Sequence, residues 1–135
     1  MRSDVAGALL GVAAGNEDGA FVAEFRFDPA LAVFRGHFPG RPLVPGAFEI
    51  EMVRQAVECH TGLAWRIARV ASAKFTGQVA PGETINVAGT AVPAERGLAV
   101  NATLRVRGEV RAKLAMRLEP CPGPSEFQAP MQSAE

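Results

Sequence analysis

Apolar and polar positions alternate along most of this chain. Phe21, Ala23, Phe25 and Phe27 interleave with Val22, Glu24 and Arg26, a period of two that predicts a strand with one face buried. The run Asn16-Glu17-Asp18-Gly19 reads as a turn ahead of it, so Ala8–Ala13 is the predicted partner strand. After residue 64 the alternation is sustained. Trp65, Ile67, Arg69, Ala71, Ala73 and Phe75 are predicted to share one face, until Pro81-Gly82 breaks the chain. Ile85, Val87, Gly89 and Ala91 follow, and Glu95-Arg96-Gly97 turns the chain back. Leu98, Val100, Ala102, Leu104 and Val106 then oppose Asn101, Thr103, Arg105 and Arg107; Gly108 turns again; and Val110, Ala112, Leu114, Met116 and Leu118 oppose Glu109, Arg111, Lys113 and Arg117. Connections this short predict antiparallel pairing.

One segment breaks the pattern. GAFEIEMVRQAVECH, from Pro45 or Gly46 to about His60, is built of good helix formers and predicts a helix of about four turns. Phe48, Ile50, Met52, Val53, Ala56, Val57 and Cys59 place apolar groups around most of its circumference, the mark of a buried helix. The predicted architecture is therefore α+β, an antiparallel sheet wrapped around one long central helix. Residues 1–119 form a single domain on this reading, with Met1 to about Ala6 frayed. Residues 120–135, with Pro120, Pro122, Pro124 and Pro130, form a disordered tail.

Composition narrows the function classes. At 135 residues and 14.2 kDa there is room for one domain. Lys+Arg 14 balances Asp+Glu 14, which gives no electrostatic reason to expect nucleic acid or an anionic membrane as partner. No apolar stretch approaches the ~20 residues of a membrane span, and MRSDVAGALLGVAAG is a poor signal peptide. Cys59 and Cys121 lack a CxxC spacing and suggest a reducing, cytoplasmic setting. Cys59 is expected to pack in the core, and His60, at the helix C-terminus, to be structural. Two histidines and two scattered cysteines make no metal site, and glycine-rich phosphate loops are absent, so neither metal nor cofactor is expected.

The chemistry concentrates in residues 34–55, FRGHFPGRPLVPGAFEIEMVRQ. Pro39, Pro42, Pro45, Gly36, Gly40 and Gly46 fall within eleven positions, a density that fixes a stiff loop. His37 sits inside that loop, which runs directly into the buried helix. The helix start offers the unpaired backbone N–H groups of Gly46 and Ala47, and its dipole favours negative charge there. Glu51 follows about one and a half turns on, with Ala47, Phe48, Arg54, Gln55 and Glu58 as its helical neighbours. A histidine, a helix N-terminus and a carboxylate together suffice for acid/base work beside a developing oxyanion.

HFPGRPLVPG, with Glu51 fourteen positions after His37 and Gln55 four further on, closely resembles the active-site signature of the 3-hydroxyacyl-acyl carrier protein dehydratases. These are hot-dog-fold enzymes of the FabZ type. KFTGQVAPGETI, Lys74–Ile85, resembles the same family's strand–Pro-Gly–strand segment, and the resemblance covers roughly residues 20–118. It implies a hydro-lyase that converts a 3-hydroxyacyl thioester, carried on acyl carrier protein, to the trans-2-enoyl thioester without a cofactor. His37 would be the base, and the Gly46 N–H, with Ala47 as a second, would hold the thioester oxygen. Glu51 would protonate or orient the departing hydroxyl, its pKa raised by burial if it is to act as an acid. Gln55 would hold the Glu51 carboxyl or pack within the dimer. Phe38, Leu43, Val44, Phe48 and Met52 would line the acyl chain or simply belong to the core. The implied assembly is a homodimer or a higher state such as a trimer of dimers, with sites shared between protomers.

Three departures qualify the match. The N-terminal run resembling HRYPFLLVDR is missing, the chain has no tyrosine, and AFEIEMVRQA is made more polar by Glu49 and Arg54. The first two resemble a short branch serving aryl polyene or other secondary acyl pathways. A hot-dog thioesterase and a non-catalytic acyl-binding module are the rival readings.

Overall fold

In the computed structural model, residues 1–35 and 42–122 are described. The elements run α1 (Arg2–Ala8), β1 (Leu9–Ala14), β2 (Ala20–Phe25), a 3-10 turn (Ala32–Phe34), α2 (Gly46–Thr61), β3 (Trp65–Phe75), β4 (Ile85–Ala94), β5 (Gly97–Val106) and β6 (Glu109–Pro120). All strand pairings are antiparallel, in the order β1-β2-β4-β5-β6-β3. The β4–β5 and β5–β6 hairpins close over two residues each, Glu95-Arg96 and Arg107-Gly108. Arg96, Arg107 and Gly108 adopt positive φ there, the backbone twist that such tight turns require.

The alternation of β2, β4, β5 and β6 buries one face. Phe21 and Phe25, Ile85 and Val87, Leu104 and Val106, and Leu114 and Leu118 all point into one core with Met52, Val53, Ala56 and Val57 of α2. The helix is buried nearly all round, and its polar residues Glu49, Glu51, Arg54 and Gln55 are buried with it. Gly62 ends it in the left-handed conformation, its N–H donating to Glu58 O.

Three expectations need correction. The residues expected to fray form α1, because Val5 and Ala8 have a core to enter: Val5 is fully buried. Trp65 is the one fully inward residue of β3; the rest of the strand is largely exposed, and its presumed common face does not form. Two irregularities in the β3–β6 register, between Ile67 and Arg69 and between Val70 and Ser72, each shift the alternation by a residue. Cys59 is exposed rather than packed, since α2 leaves the core in its last turn, where Gly62, Leu63 and Ala64 are also exposed. At the other end of the chain, β6 continues to Pro120 opposite Trp65, and the Cys121 N–H donates to Ala64 O. The remainder of the expected tail, 123–135, lies outside the described residues.

Candidate active site

The N-terminus of α2 enters the core without a side-chain cap. Pro45 occupies the cap position and has no side-chain oxygen to offer. The Phe48 and Glu49 N–H groups both return to Pro45 O, at 2.9 and 3.3 Å. The Gly46 and Ala47 N–H groups have no acceptor within the helix, so this end presents two donors and the positive end of a sixteen-residue dipole. The Phe75 ring, at the end of β3, lies across Gly46: a Cβ at position 46 would stand 2.9 Å from Phe75 Cζ. Glycine is thus the residue that lets the ring and the helix end meet.

Glu51 is clamped. Arg54 Nε donates to its Oε1 at 2.9 Å and Arg54 Nη2 to its Oε2 at 2.5 Å, a bidentate pair between buried side chains. Gln55 Nε2 donates to Oε2 at 2.7 Å and also to Arg2 O at 3.0 Å, which ties α1 to the site. Arg54 Nη1 continues to Trp65 O at 3.0 Å and to Glu58 Oε2 at 2.6 Å, and Glu58 Oε2 accepts the Trp65 N–H at 2.9 Å. The network therefore joins α1, α2 and the start of β3. Burial pushes the Glu51 carboxyl upward, but hydrogen bonds from Arg54 and Gln55 and the charges of Arg54 and Arg2 outweigh it. The carboxyl is held below its ordinary range. A Glu51 whose pKa is raised by burial, as expected for proton donation, is not what the structure shows: its two partners keep it ionised.

Glu49 is the opposite case. It is buried on α2, its Oε1 has no hydrogen-bond partner among the described residues, and burial raises its pKa from 4.5 to about 7. In the sequence, Glu49 and Arg54 stand out only as added polarity. The i,i+3 and i,i+4 spacing of Glu51, Arg54 and Glu58 was the signal for the clamp; nothing in the local sequence marked Glu49 as buried.

His37 and Phe38 lie outside the described residues. Val44 is buried, its N–H donating to Val79 O at 2.8 Å, and Phe48 is buried with its ring 5.8 Å from that of Phe27. Met52 is fully buried. Leu43 stands apart from these three: with Pro29, Pro42, Gln78, Ala80 and Arg111 it lines a cavity of about 470 Å³. His60 packs its ring 5.7 Å from Phe21 in the last turn of α2. Among the described residues no group of three or more His, Cys, Asp or Glu side chains is placed to hold a metal ion.

A family model described as ApeI-like, ApeI dehydratase, matches residues 13–111. The chain is 36% identical over 93 residues to the 3-hydroxyacyl-[acyl-carrier-protein] dehydratase FabZ of Thermus thermophilus, covering 62% of this chain and 65% of that protein. It is 32% identical over 89 residues to the FabZ of Acetivibrio thermocellus, covering 59% and 60%. The matched stretch thus spans just under two thirds of these curated relatives. Among solved structures, the dehydratase heterocomplex ApeI:P from Xenorhabdus doucetiae superimposes with a TM-score of 0.69 at 20% identity, over 82% of this chain and 95% of that one. A mutant of the fluoroacetyl-CoA-specific thioesterase FlK superimposes with a TM-score of 0.65 at 14% identity, over 91% and 100%. At these identities the likeness shows the fold, and it is the hot-dog fold, an antiparallel sheet around a central helix.

Proposed function

The chain belongs to the ApeI-like dehydratase family, and from that premise we propose that it removes water from a 3-hydroxyacyl thioester borne on acyl carrier protein, in fatty-acid or related acyl or polyene biosynthesis. The observation that carries this reading is that α2 starts uncapped, with the Gly46 and Ala47 N–H groups without an acceptor in the helix, and carries the clamped Glu51 carboxylate on the same element. These donors suit an oxygen that gains charge, as a thioester oxygen does when its α-proton leaves.

His37 takes the α-proton, a role that suits an imidazole. Glu51, ionised, accepts a hydrogen bond from the 3-hydroxyl and orients it. A carboxylate has roughly four acceptor positions; Arg54 and Gln55 occupy three, which leaves one for the substrate. The proton that completes the departing water is the one His37 has just removed. Electrons of the broken C–H bond become the new C=C bond, those of the C–O bond leave with the hydroxyl, and the histidine ends neutral. Gln55 fixes the carboxylate, and Val44, Phe48 and Phe38 border the acyl chain, with Leu43 facing the separate cavity beside Pro42.

The working unit is a homodimer or a multiple of it, in the cytoplasm, with His37 of one protomer facing Glu51 of its partner. The exposed length of β3, with Val70 and Phe75 more than a third exposed, supports an assembly that covers this edge. The test is product analysis with a 3-hydroxyacyl thioester and no added metal or nucleotide. The expected product is the enoyl thioester. Free acid with released thiol would establish the thioesterase instead, and unchanged substrate a binding module.

A further inference from the structure

The first turn of α2 holds a second carboxyl that the chemistry above does not use. Glu49 is 3% exposed, its Oε1 has no partner among the described residues, and Met52, Val53 and Ala56, its neighbours one and two turns on, are fully buried apolar residues. Side chains on a helix lean toward its N-terminus, and residues three apart share a face. Glu49 is three residues past Gly46, so helix geometry directs its side chain toward the turn from which the Gly46 and Ala47 N–H groups emerge. Glu51, two positions on, points roughly 200° round the helix, toward Arg54 and Gln55.

We infer that Glu49 is a second hydrogen-bond donor to the substrate's thioester oxygen, acting beside the N–H groups of Gly46 and Ala47. This rests on the reading that the start of α2 receives a thioester. No cation among the described residues compensates Glu49, and an ionised carboxylate buried without a partner is strongly disfavoured. Burial holds its pKa near 7, so the carboxyl keeps its proton in the acid range and in about half of the molecules at neutrality. A protonated carboxyl has one O–H to give. That donor is pre-positioned in an apolar setting, where a hydrogen bond to developing negative charge counts most. The arrangement explains why a glutamate stands where hydrocarbon would otherwise fill the core.

Two substitutions separate a donor from a merely structural group. Glu49→Leu keeps the volume and removes the donor; Glu49→Gln keeps a donor that cannot ionise. Expected for Glu49→Leu is a kcat lower by roughly 10–10²-fold, a KM within about twofold, and a melting temperature no lower than that of the wild type, since an orphaned polar group has gone. Glu49→Gln should retain most of the kcat. A second readout needs no turnover. The infrared band of the protonated Glu49 carboxyl, assigned by its absence in Glu49→Gln, should shift when the trans-2-butenoyl thioester of pantetheine is added. Wild-type kcat in Glu49→Leu overturns the inference whatever the band does. A lowered kcat with an unmoved band also overturns it, because the effect is then indirect. A shifted band in a chain that forms no enoyl product retains the donor and overturns the dehydratase reading alone; an unmoved band in such a chain overturns both.

Discussion

Gly46 is where packing and chemistry meet in a single residue. Its missing side chain admits the Phe75 ring, and a methyl there would stand 2.9 Å from Cζ and 3.2 Å from Cε1 of that ring. Phe75 is 47% exposed, so its ring has room to swing outward, and alanine is the better helix former. Gly46→Ala should therefore change stability by less than about 1 kcal/mol. Its kcat should nonetheless fall by roughly tenfold or more, because the methyl and the displaced ring crowd the donors at the helix end. Urea midpoints and steady-state kinetics on the same preparation read the two effects. A variant with wild-type kcat would mean that the substrate does not approach this N-terminus. Arg54 likewise serves several partners at once. One guanidinium holds Glu51, Glu58 and Trp65 O, so the state of the carboxylate depends on a carbonyl eleven residues beyond the arginine.

Helix α2 carries two carboxyls that oppose each other in their response to pH. Glu49 has its folded pKa raised, from 4.5 to about 7. Its protonated form is favoured by folding, so its contribution is fully present below about pH 4.5 and is lost as pH rises through 7. Glu51 has its folded pKa lowered from 4.5; its contribution is present above that value and is lost as pH falls below it. Stability should therefore peak in the weakly acidic range. Glu49→Gln should exceed the wild type by about 2–3 kcal/mol near pH 8 and approach it near pH 4, whereas Glu51→Gln should flatten the acid side. Urea unfolding from about pH 2 to pH 8 tests this, and curves that run parallel for all three proteins would refute the assignment. The helix itself was legible from its loss of alternation and its apolar circumference, and β2, β4, β5 and β6 from their period of two. The β3 register was not, because a bulge leaves the same residue types in place and alters only their phase. The ionisation of Glu51 was not legible either: burial and pairing pull its pKa in opposite directions, and which one wins depends on the geometry of Arg54 and Gln55. Glu49 was visible as a polar residue in an apolar helix, but its burial with an Oε1 unpartnered among the described residues exists only in the folded chain.

The sheet ends on one side in β1 and on the other in β3. The β3 edge is eleven residues long, and in the single chain positions 68–75 are all exposed. An uncovered edge of that length invites pairing with a second copy. A two-fold dimer repeats whatever site it builds, so a site drawing His37 from one protomer and Glu51 from the other occurs twice per dimer. Such sharing has a consequence that a site within one chain lacks. Mix inactive His37→Ala chains with inactive Glu51→Gln chains and allow the subunits to exchange. Each mixed dimer then holds one site with both lesions and one with neither. Random pairing makes about half of the dimers mixed, so roughly a quarter of all sites should recover. If the two residues met within one protomer, every site would keep one lesion and mixing would restore nothing. The clamp on Glu51 makes the glutamine variant the right partner, since it keeps the carboxamide oxygen as an acceptor for Arg54 while removing the charge. Sedimentation that finds only monomer, or no recovery after exchange has been demonstrated by mass-tagged chains, would sink the shared site and leave the dehydratase reading intact.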